Sequence, residues 1–528
     1  MSLCLVLWGA SAKAALGDLD TTFGGDGIVL FDSGDDQDDG VAVAIDADGN
    51  ILFAGSIING TDLDFEVLRY TPLGELDTTF GVGGIVTTDM GSSVDDTAVA
   101  LEIDADGNIV VGGQSANAGN TSAYAVVRYT SLGVLDTTFG GGDGIVTTPA
   151  LNTNDLIYAM AIDADGNVLL GGSFSGSSLD FALVRYTSAG VLDTSFGGGD
   201  GIVTEDLGVS TADSLYGVVI NADGEIVTAG KSAALFALAR FTSAGVADGV
   251  LTTDVGGTPN SSFGSLALDV DGNMVIGGSY FNGTDFDVAL IRYTSAGALD
   301  TTNFGGGTGF VTSDSGSDDF CISLAIDANG NILCGGHHDN GTDDDFALLR
   351  YTSAGVLDVT FNTSGIVSND VGSGTNDDAT SLAIDADANL VLAGTSTNGT
   401  NGDFAMMRIL GTECSNGVIE GSETCDDGAS NSDTTADACR TTCVVAACGD
   451  TVVDTGETCD DGNTTAGDGC SDLCATESDT TDAATSGGGG CALNSQANTP
   501  HNGYLVAFLL LVAVASAGPV FRSKVNQS

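Results

Sequence analysis

Residues 144–187 read GIVTTPALNTNDLIYAMAIDADGNVLLGGSFSGSSLDFALVRYT, and this stretch decides the fold. It contains four short runs typical of β-strands, which we name strands a to d: Gly144–Thr148, Tyr158–Asp163, Asn167–Gly172 and Phe181–Thr187. Gly and Asn tolerate positive φ, so the sequence DADGN between strands b and c predicts a tight turn. Strands b, c and d carry apolar residues on both faces, as expected where sheets stack on one another. The stretch therefore predicts a small antiparallel sheet packed between other sheets.

The same pattern recurs seven times along the chain. An arginine, usually within RYT, marks strand d at intervals of 52 to 59 residues. Copies of IDADGN and LDTTFG accompany most of these arginines, although Gly245–Thr253 of the fifth unit has lost the LDTTFG signature. The seven arginines are Arg69, Arg128, Arg185, Arg240, Arg292, Arg350 and Arg408. Seven units of four strands predict an all-β, seven-bladed β-propeller over residues 16–411, with an open β-solenoid as the alternative.

The two ends of the repeat array favour a closed ring. Residues 18–24 read DLDTTFG, whereas the chain after Arg408 continues ILGTEC and lacks that signature. The N-terminal segment can supply the missing piece only if the first and last blades are neighbours. A ring requires this arrangement and a solenoid does not.

The signatures together resemble a known repeat. Units of the form LDTTFG, GIVTTD, AIDADGNIL and DFAL followed by RYT resemble the delta-60 repeat, a β-propeller repeat of deltaproteobacterial surface proteins. The resemblance covers roughly residues 16–411. It implies a propeller displayed at the cell surface, and it carries no enzymatic activity with it.

Charge excludes one large class of function. The chain has 73 Asp plus Glu against 12 Lys plus Arg, a formal net charge of −61. Such a surface repels phosphate backbones, so we expect no nucleic-acid partner. The same surface attracts cations. A hydrophobic fraction of 42% still allows a sizeable core.

Eight of the twelve cysteines lie within residues 412–475. They form two four-cysteine modules: Cys414, Cys425, Cys439 and Cys443, then Cys448, Cys459, Cys470 and Cys474. The modules resemble the cysteine-rich repeat of myxobacterial surface proteins. Zinc is the competing interpretation, but histidine is absent from this segment, so disulfides are favoured. Four cysteines allow three pairings, and the sequence leaves the choice open.

Both termini predict export and anchoring. Residues 1–14 end in small residues typical of signal-peptide cleavage after Ala12 or Ala14. Residues 476–502 form a flexible linker that contains Cys491, 503–521 are an uncharged span long enough for a transmembrane helix, and 522–528 are a basic cytoplasmic tail. This arrangement resembles Gly-rich, Cys-containing sorting signals, which implies loss of the helix and lipid modification of Cys491. A permanent membrane anchor is the alternative. The predicted location is the cell surface, the outer membrane or the extracellular space.

Acidic clusters are the candidate calcium ligands. One cluster comprises Asp32, Asp35, Asp36, Asp38 and Asp39, and the other comprises Asp343, Asp344 and Asp345. Oxygen-only ligands of this kind suit Ca²⁺, the only cofactor the sequence suggests. The DADGN loops also offer paired carboxylates, but they lack the further acids of a complete calcium loop, so a plain turn is favoured there.

Three further sets of residues are candidates for ion pairing, catalysis or disulfide formation. One arginine per unit in so acidic a chain predicts a structural ion pair with a repeated carboxylate such as Asp64, Asp180 or Asp345; ligand contact is the alternative. Histidine occurs only at His337, His338 and His501, which argues against histidine-based catalysis. Cys321 and Cys334 are predicted to be separate buried thiols, because simple hairpin spacing places them about 13 Å apart.

These observations leave three functions open. The favoured one is a non-catalytic surface protein for adhesion or recognition of a glycan or protein. A structural spacer of the envelope and a secreted hydrolase or lyase are the alternatives. Strand direction places the a–b and c–d loops on one face of the ring, and these loops differ most between units. We therefore expect any partner, and any Ca²⁺, to bind that face.

Overall fold

The computed structural model describes most of the repeat array and a few residues after it. The described residues are 15–34, 37–60, 62–91, 95–116, 122–149, 155–175, 178–208, 212–259, 265–372, 374–398, 401–411, 432, 435–439, 452–453 and 459. The predicted signal peptide, most of the cysteine modules, the predicted linker with Cys491, the apolar span and the basic tail lie outside them.

The described residues form seven antiparallel sheets, six with four strands and one with a short fifth strand. The strands of blades 1 to 3 are β2 Asp38–Ile45, β3 Ile51–Ile58, β4 Leu63–Tyr70 and β5 Ile85–Thr88; β6 Asp96–Ile103, β7 Ile109–Ala116, β8 Ser122–Tyr129 and β9 Ile145–Pro149; β10 Leu156–Ile162, β11 Val168–Ser175, β12 Leu179–Tyr186 and β13 Ile202–Glu205. Blades 4 and 5 contain β14 Asp213–Ile220, β15 Ile226–Ser232, β16 Leu235–Phe241 and β17 Ala247–Thr253; β18 Thr258–Pro259, β19 Leu266–Leu268, β20 Met274–Phe281, β21 Phe286–Tyr293 and β22 Phe310–Ser313. Blades 6 and 7 contain β23 Ser323–Ile326, β24 Ile332–Asp339, β25 Asp344–Tyr351 and β26 Ile366–Asn369; β27 Asp377–Ile384, β28 Leu390–Thr397, β29 Gly402–Ile409 and β1 Ile28–Phe31. Two 3₁₀ turns, Gly305–Gly307 and Phe361–Thr363, are the helical elements of the described chain.

The prediction of a seven-bladed, all-β propeller is confirmed, but the blades are offset by one strand from the sequence units. Strand a of the quoted stretch is β9, which pairs with β8 of the preceding unit. Each blade therefore runs b, c, d from the centre outwards and ends with strand a of the next unit. The LDTTFG segment causes the offset, because it carries the chain around the outer edge of strand d before strand a begins.

The ring closes through the N-terminal segment, as the chain ends predicted. Strand β1 pairs antiparallel with β29, with Ile28 opposite Met407 and Phe31 opposite Phe404. The Arg408 guanidinium also binds the Asp20 carboxylate across 388 residues of sequence. The seventh blade is thus built from both ends of the array, which excludes the open solenoid.

The core lies between neighbouring blades. Each apolar cluster combines residues of two adjacent sheets, such as Phe65 and Val67 of blade 1 with Val111 and Val127 of blade 2. The phenylalanines of the LDTTFG signature are fully buried at Phe23, Phe80, Phe139, Phe196, Phe304 and Phe361. Burying a side chain of this size contributes about 2 to 3 kcal/mol. The signature is therefore a packing element of the repeat.

Strand c needs glycine where strand b bulges against it. The register between β10 and β11 shifts between Ile157 and Ala159, which pushes the backbone of β10 towards its partner. A Cβ at Gly172 would lie 1.9 Å from the Leu156 carbonyl oxygen. The repeated GG of strand c is explained by this close approach.

Candidate functional site

The propeller has two chemically different faces and a central channel. Strands b and d run in the same direction, so the b–c turns and d–a loops share one face, which we call the turn face. The c–d turns and a–b loops share the opposite face, which we call the loop face. Contacts agree with this division. On the turn face, Arg128 at the end of strand d lies 3.9 Å from Asp104 of a b–c turn. On the loop face, the N–H of Leu63, the residue that follows a c–d turn, donates to Asp95 of an a–b loop.

An arginine ties neighbouring blades together on the turn face. Arg128 Nε donates to Asp136 Oδ2 at 2.8 Å, and its guanidinium carbon lies 4.6 Å from the centre of the Phe139 ring. A second guanidinium nitrogen donates to the Ser188 carbonyl oxygen of the next blade at 2.7 Å. The same aspartate pairing recurs for Arg69 with Asp77, Arg128 with Asp136, Arg185 with Asp193, Arg292 with Asp300, Arg350 with Asp358, and Arg408 with Asp20.

The repeat arginines form ion pairs, but their partners are not the carboxylates that the sequence suggested. The carboxylate comes from the LDTTFG signature, and Asp64, Asp180 and Asp345 are not the partners. Asp64 lies near the start of strand d and Arg69 near its end, five residues later. Five residues of extended chain span about 17 Å, so the two side chains lie at opposite ends of the blade.

Blade 4 is the exception. The segment that follows its strand d opens the fifth sequence unit, which has lost the LDTTFG signature. Arg240 binds Glu225 at 3.2 Å and lies 3.8 Å from Asp248, and the side chains of these two acids are 39% and 57% exposed. The Asp300 side chain that pairs with Arg292 is only 3% exposed. Blade 4 therefore has the weakest ion pair of the turn face.

The turn-face aspartates stay charged. Burial raises the pKa of Asp136, but hydrogen bonds from Thr138 and the charge of Arg128 outweigh it, so the net pKa is lowered. Net lowering also holds for Asp20, Asp77, Asp193, Asp300 and Asp358.

The DADGN loops are self-contained turns. Asp46 Oδ1 accepts from the backbone N–H groups of Asp48 and Asn50, and Asp46 Oδ2 accepts from the Asn50 side chain. The turn itself uses both carboxylate oxygens. This arrangement favours the plain-turn interpretation over a calcium loop.

Carboxylates from two blades converge on the loop face. Asp64 begins strand d of blade 1, Asp89 follows its outer strand, and Asp96 begins blade 2; oxygens of all three lie within 4.8 Å of one another. Equivalent groups are Asp32 with Asp38 and Asp403, and Asp180 with Asp206 and Asp213, whereas Asp285, Asp287 and Asp314 form a triad within blade 5. Three of the seven blade junctions thus carry an acid triad within the described chain.

A repeated frame of hydrogen bonds holds each triad. The Asn59 side chain donates to Asp64 Oδ2 at 2.8 Å, and the Met90 N–H donates to Asp96 Oδ2 at 2.8 Å. The Gly91 N–H donates to Asp89 Oδ1 at 2.6 Å. Two sequence patterns encode this frame: NGTD in several c–d turns, and DxG followed by a further Asp in most a–b loops. Sequence reasoning treated these loops as variable and missed both patterns.

Within the described part of the chain, the triads have no Lys or Arg as an ion-pair partner. Burial raises the pKa of Asp64, and the charges of Asp89 and Asp62 raise it further against a hydrogen bond from Asn59. Burial likewise raises the pKa of Asp377, which occupies the position of Asp96 at the sixth junction, to about 6. The loop face therefore concentrates negative charge that the described residues do not neutralise.

The structure places the aspartates of the two predicted calcium clusters in different environments. Asp32 and Asp38 join Asp403 from the far end of the array, while Asp39 accepts from the Gln37 side chain. Asp35 and Asp36 lie outside the described residues. The second cluster separates into three environments: Asp343 accepts from Asn340, Asp344 lies beside His337 and Asp378, and Asp345 accepts from Ser368.

The channel at the centre of the ring contains a cavity of about 740 Å³. The strands nearest the axis line it mainly with small and aliphatic residues. Tyr158 and Tyr216 lie side by side there, with ring centres 4.9 Å apart. Glu102 also lines the cavity; its side chain is exposed to the channel, and the protein crowded around it raises its pKa to about 7. Sequence reasoning did not identify this cavity, because its wall combines residues from all seven blades.

The two adjacent histidines lie in strand β24 and have different partners. His337 lines the channel, with its Nδ1 3.3 Å from Asp378 Oδ1 and its ring 4.4 Å from Phe320. Burial lowers its pKa against the opposing charges of Asp378, Asp344 and Asp318. His338 Nδ1 lies 2.7 Å from Asp319 Oδ1.

Cys321 and Cys334 form a disulfide, so the prediction of two separate thiols is wrong. Their Cα atoms lie 5.5 Å apart. The prediction assumed an unbroken hairpin, but regular pairing ends at Ser323 opposite Gly335. The chain before it bends, with the Phe320 N–H donating to the His337 carbonyl oxygen. This irregularity brings Cys321 towards strand β24.

Little of the cysteine modules and tail is described. Cys439 and Cys459 are each disulfide-bonded, and the other six module cysteines lie outside the described residues. Among the described residues, no helix is long and apolar enough to cross a membrane.

Comparisons with known families agree with the repeat architecture. A β-propeller family described as a domain of unknown function (DUF5122) matches residues 47–80, 105–139, 164–196, 271–302 and 328–361, which lie in five of the seven repeats. A second domain of unknown function (DUF4215) matches residues 434–475. Five segments of the chain thus match the propeller family, whereas the myxobacterial cysteine-rich repeat and the sorting signal remain predictions. No curated protein matches the chain significantly.

Several solved structures are similar to parts of this chain at low sequence identity. Virginiamycin B lyase from Staphylococcus aureus is 12% identical with a TM-score of 0.42, covering 72% of this chain and 98% of the lyase. An ulvan lyase bound to a sulfated disaccharide is 14% identical with a TM-score of 0.43, covering 72% and 96%. A Bacteroides caccae protein of unknown function is 12% identical with a TM-score of 0.34, covering 60% and 98%. These similarities concern the fold alone.

Proposed function

We propose that the protein is an exported, non-catalytic surface protein that binds a glycan or a protein through its loop face. One observation carries this proposal: the loop face combines a repeated acidic frame with intervening residues that differ between repeats. Residues 92–95 read SSVD, whereas the equivalent 209–212 read VSTA. A rigid scaffold that presents different side chains on one face suits recognition.

The turn face offers the main alternative surface. Val134, Val191 and Val356 stand at equivalent positions of its d–a loops and are 61%, 60% and 61% exposed. Exposed apolar side chains at repeated positions could also contact a partner. The experiment must therefore compare the two faces.

Binding can be tested with the full-length protein on a glycan array and in pull-downs from the producing cells. For a ligand found in this way, we expect replacement of residues 92–95 and 209–212 by Gly-Ser segments to lower affinity at least tenfold. The matched control, Val134→Ser with Val191→Ser on the turn face, should change affinity less than twofold. The reverse result would assign binding to the turn face and overturn the proposal.

The central cavity supports a second candidate, a propeller-type hydrolase or lyase. Glu102 with its raised pKa, His337, and the Tyr158 and Tyr216 pair line one cavity of ligand size. Turnover on a polysaccharide panel that is lost in both Glu102→Gln and His337→Ala would favour catalysis. Saturable binding without turnover would favour the surface-binding function.

A further inference from the structure

The acid triads of the loop face have the geometry of cation sites. Three carboxylate oxygens that share one Ca²⁺ at 2.3 to 2.6 Å cannot lie more than about 5 Å apart. The oxygens of Asp64, Asp89 and Asp96 meet this limit, since all lie within 4.8 Å of one another. The residues come from two blades, so an ion among them would bridge the junction.

Buried oxygens without partners provide independent evidence for a ligand. Asp64 is 2% exposed and Asp96 is fully buried, yet Oδ1 of each accepts no hydrogen bond. Their Oδ2 atoms are held by Asn59 and by the Met90 N–H. Leaving a buried carboxylate oxygen unsatisfied is costly, and no Lys or Arg of the described chain lies within ion-pair distance of this triad.

The arrangement recurs at another junction. Asp403 occupies the position of Asp64 in the seventh blade; its Oδ1 accepts no hydrogen bond, and its Oδ2 accepts from Asn398 just as Asp64 accepts from Asn59. Asp32 and Asp38 complete that triad. Asp287 has the same unpartnered Oδ1, but its triad with Asp285 and Asp314 lies within blade 5. Recurrence at equivalent positions indicates a property of the repeat rather than an accident of one loop.

We propose that the loop face binds a series of Ca²⁺ ions, one at each blade junction that carries a complete acid triad. The described residues supply three such junctions. Three anionic oxygen donors in an irregular loop suit Ca²⁺, which accepts flexible geometry, better than Mg²⁺, which demands a near-ideal octahedron. The ions cross-link blades where the chain provides no cation of its own.

The chain offers a closely matched pair of variants for the test. Asp89 and Asp254 occupy the same position of their a–b loops, and each accepts from the glycine two residues later, at 2.6 and 2.8 Å. At the junction of Asp254, the position corresponding to Asp64 is Leu235, so the triad is incomplete. Asp89→Asn should therefore remove one ion, and Asp254→Asn should remove none.

The experiment is calcium titration calorimetry on the full-length protein after treatment with chelator, without any binding partner. We expect Asp89→Asn to reduce the number of bound Ca²⁺ ions by one relative to both the unmodified protein and Asp254→Asn. Asp64→Asn with Asp96→Asn provides a second test: it should lose the same ion and, in chelator, melt at a higher temperature than the unmodified protein. Equal stoichiometry in all variants, or no calcium binding at millimolar concentration, would overturn the proposal. Neither result bears on partner binding, which is measured separately.

Discussion

The two ends of one blade junction differ in whether a basic side chain neutralises their carboxylates. On the turn face between blades 1 and 2, Arg69 binds Asp77 and also donates to the Ser131 carbonyl oxygen of the next blade. On the loop face of that junction, Asp64, Asp89 and Asp96 meet without a basic residue. The propeller segment contains seven arginines, all on the turn face, and Lys231 as its other basic residue. The described propeller therefore places its arginines on the turn face and leaves this loop-face triad without one.

Lowering the pH should change the melting temperature more than any single substitution, because protonation of the paired aspartates breaks six turn-face ion pairs together. The six paired aspartates have lowered pKa values, so their stabilising contribution is complete above the ordinary Asp pKa of about 4 and is lost as pH falls through the lower folded values. We expect the melting temperature to fall steeply below about pH 4. On the loop face, burial instead raises the pKa of Asp38, Asp64, Asp96, Asp287 and Asp403, so these acids bind protons at higher pH than the paired aspartates do. A melting temperature that stays constant from pH 4 to pH 2 would contradict the role given to the ion pairs.

Removal of a single turn-face arginine should destabilise by about 3 to 5 kcal/mol where the pair is buried. Arg292→Met leaves Asp300 charged with its side chain 3% exposed. Arg240→Met is the control, because the partners of Arg240 are exposed and the expected loss is below about 1 kcal/mol. Urea denaturation of both variants measures the difference. Equal losses would mean that burial of the partner does not determine the strength of the pair.

The disulfide of blade 6 adds a covalent link that the corresponding positions of blade 2 lack. The equivalent residues in blade 2 are Ala98 and Val111, so Cys321→Ala with Cys334→Val restores the repeat. The bond spans 13 residues, and its loss should lower the free energy of unfolding by about 3 kcal/mol. A reducing agent should bring the unmodified protein to the same stability and leave the variant unchanged. A variant as stable as the oxidised protein would show that the bond contributes little.

The smallest expected effect is a gain in stability on the loop face. Asp287→Asn removes one of three carboxylates from its triad, and relief of repulsion at about 5 Å in a water-like dielectric is worth about 1 kcal/mol. The gain should appear in chelator and disappear in calcium. Asp155→Asn is the control: Asp155 begins blade 3 at a junction where Ala123 replaces the strand-d aspartate, and no gain is expected. Thermal melts with and without calcium distinguish these outcomes.

Sequence reasoning succeeded where a signal was local and repeated. The turn chemistry of DADGN, the apolar runs of strands b to d, and the missing signature after Arg408 sufficed to predict seven blades and closure by the N-terminal segment. Each depends on residues close together in sequence or on a simple count.

It failed where partners lie far apart in the chain. Asp64 and Asp96 are 32 residues apart and belong to different units, so aligning the units did not bring them together. The sequence suggested Asp64 as the partner of the strand-d arginine Arg69, although the two residues lie at opposite ends of strand d. The observed partner, Asp77, lies in the LDTTFG segment of the d–a loop. A bend before β23 likewise hid the disulfide of Cys321.

Closure by β1 and β29 also delays completion of the fold during synthesis. Asp20 and Arg408 are 388 residues apart, so the first strand leaves the ribosome long before its partner exists. At about 5 to 20 residues per second, this interval is roughly 20 to 80 seconds. During it β1 has no sheet to join, and the growing stack exposes an apolar face at each end. The cell must therefore protect the unfinished chain for that period, and any pause in translation before the seventh repeat prolongs the exposure.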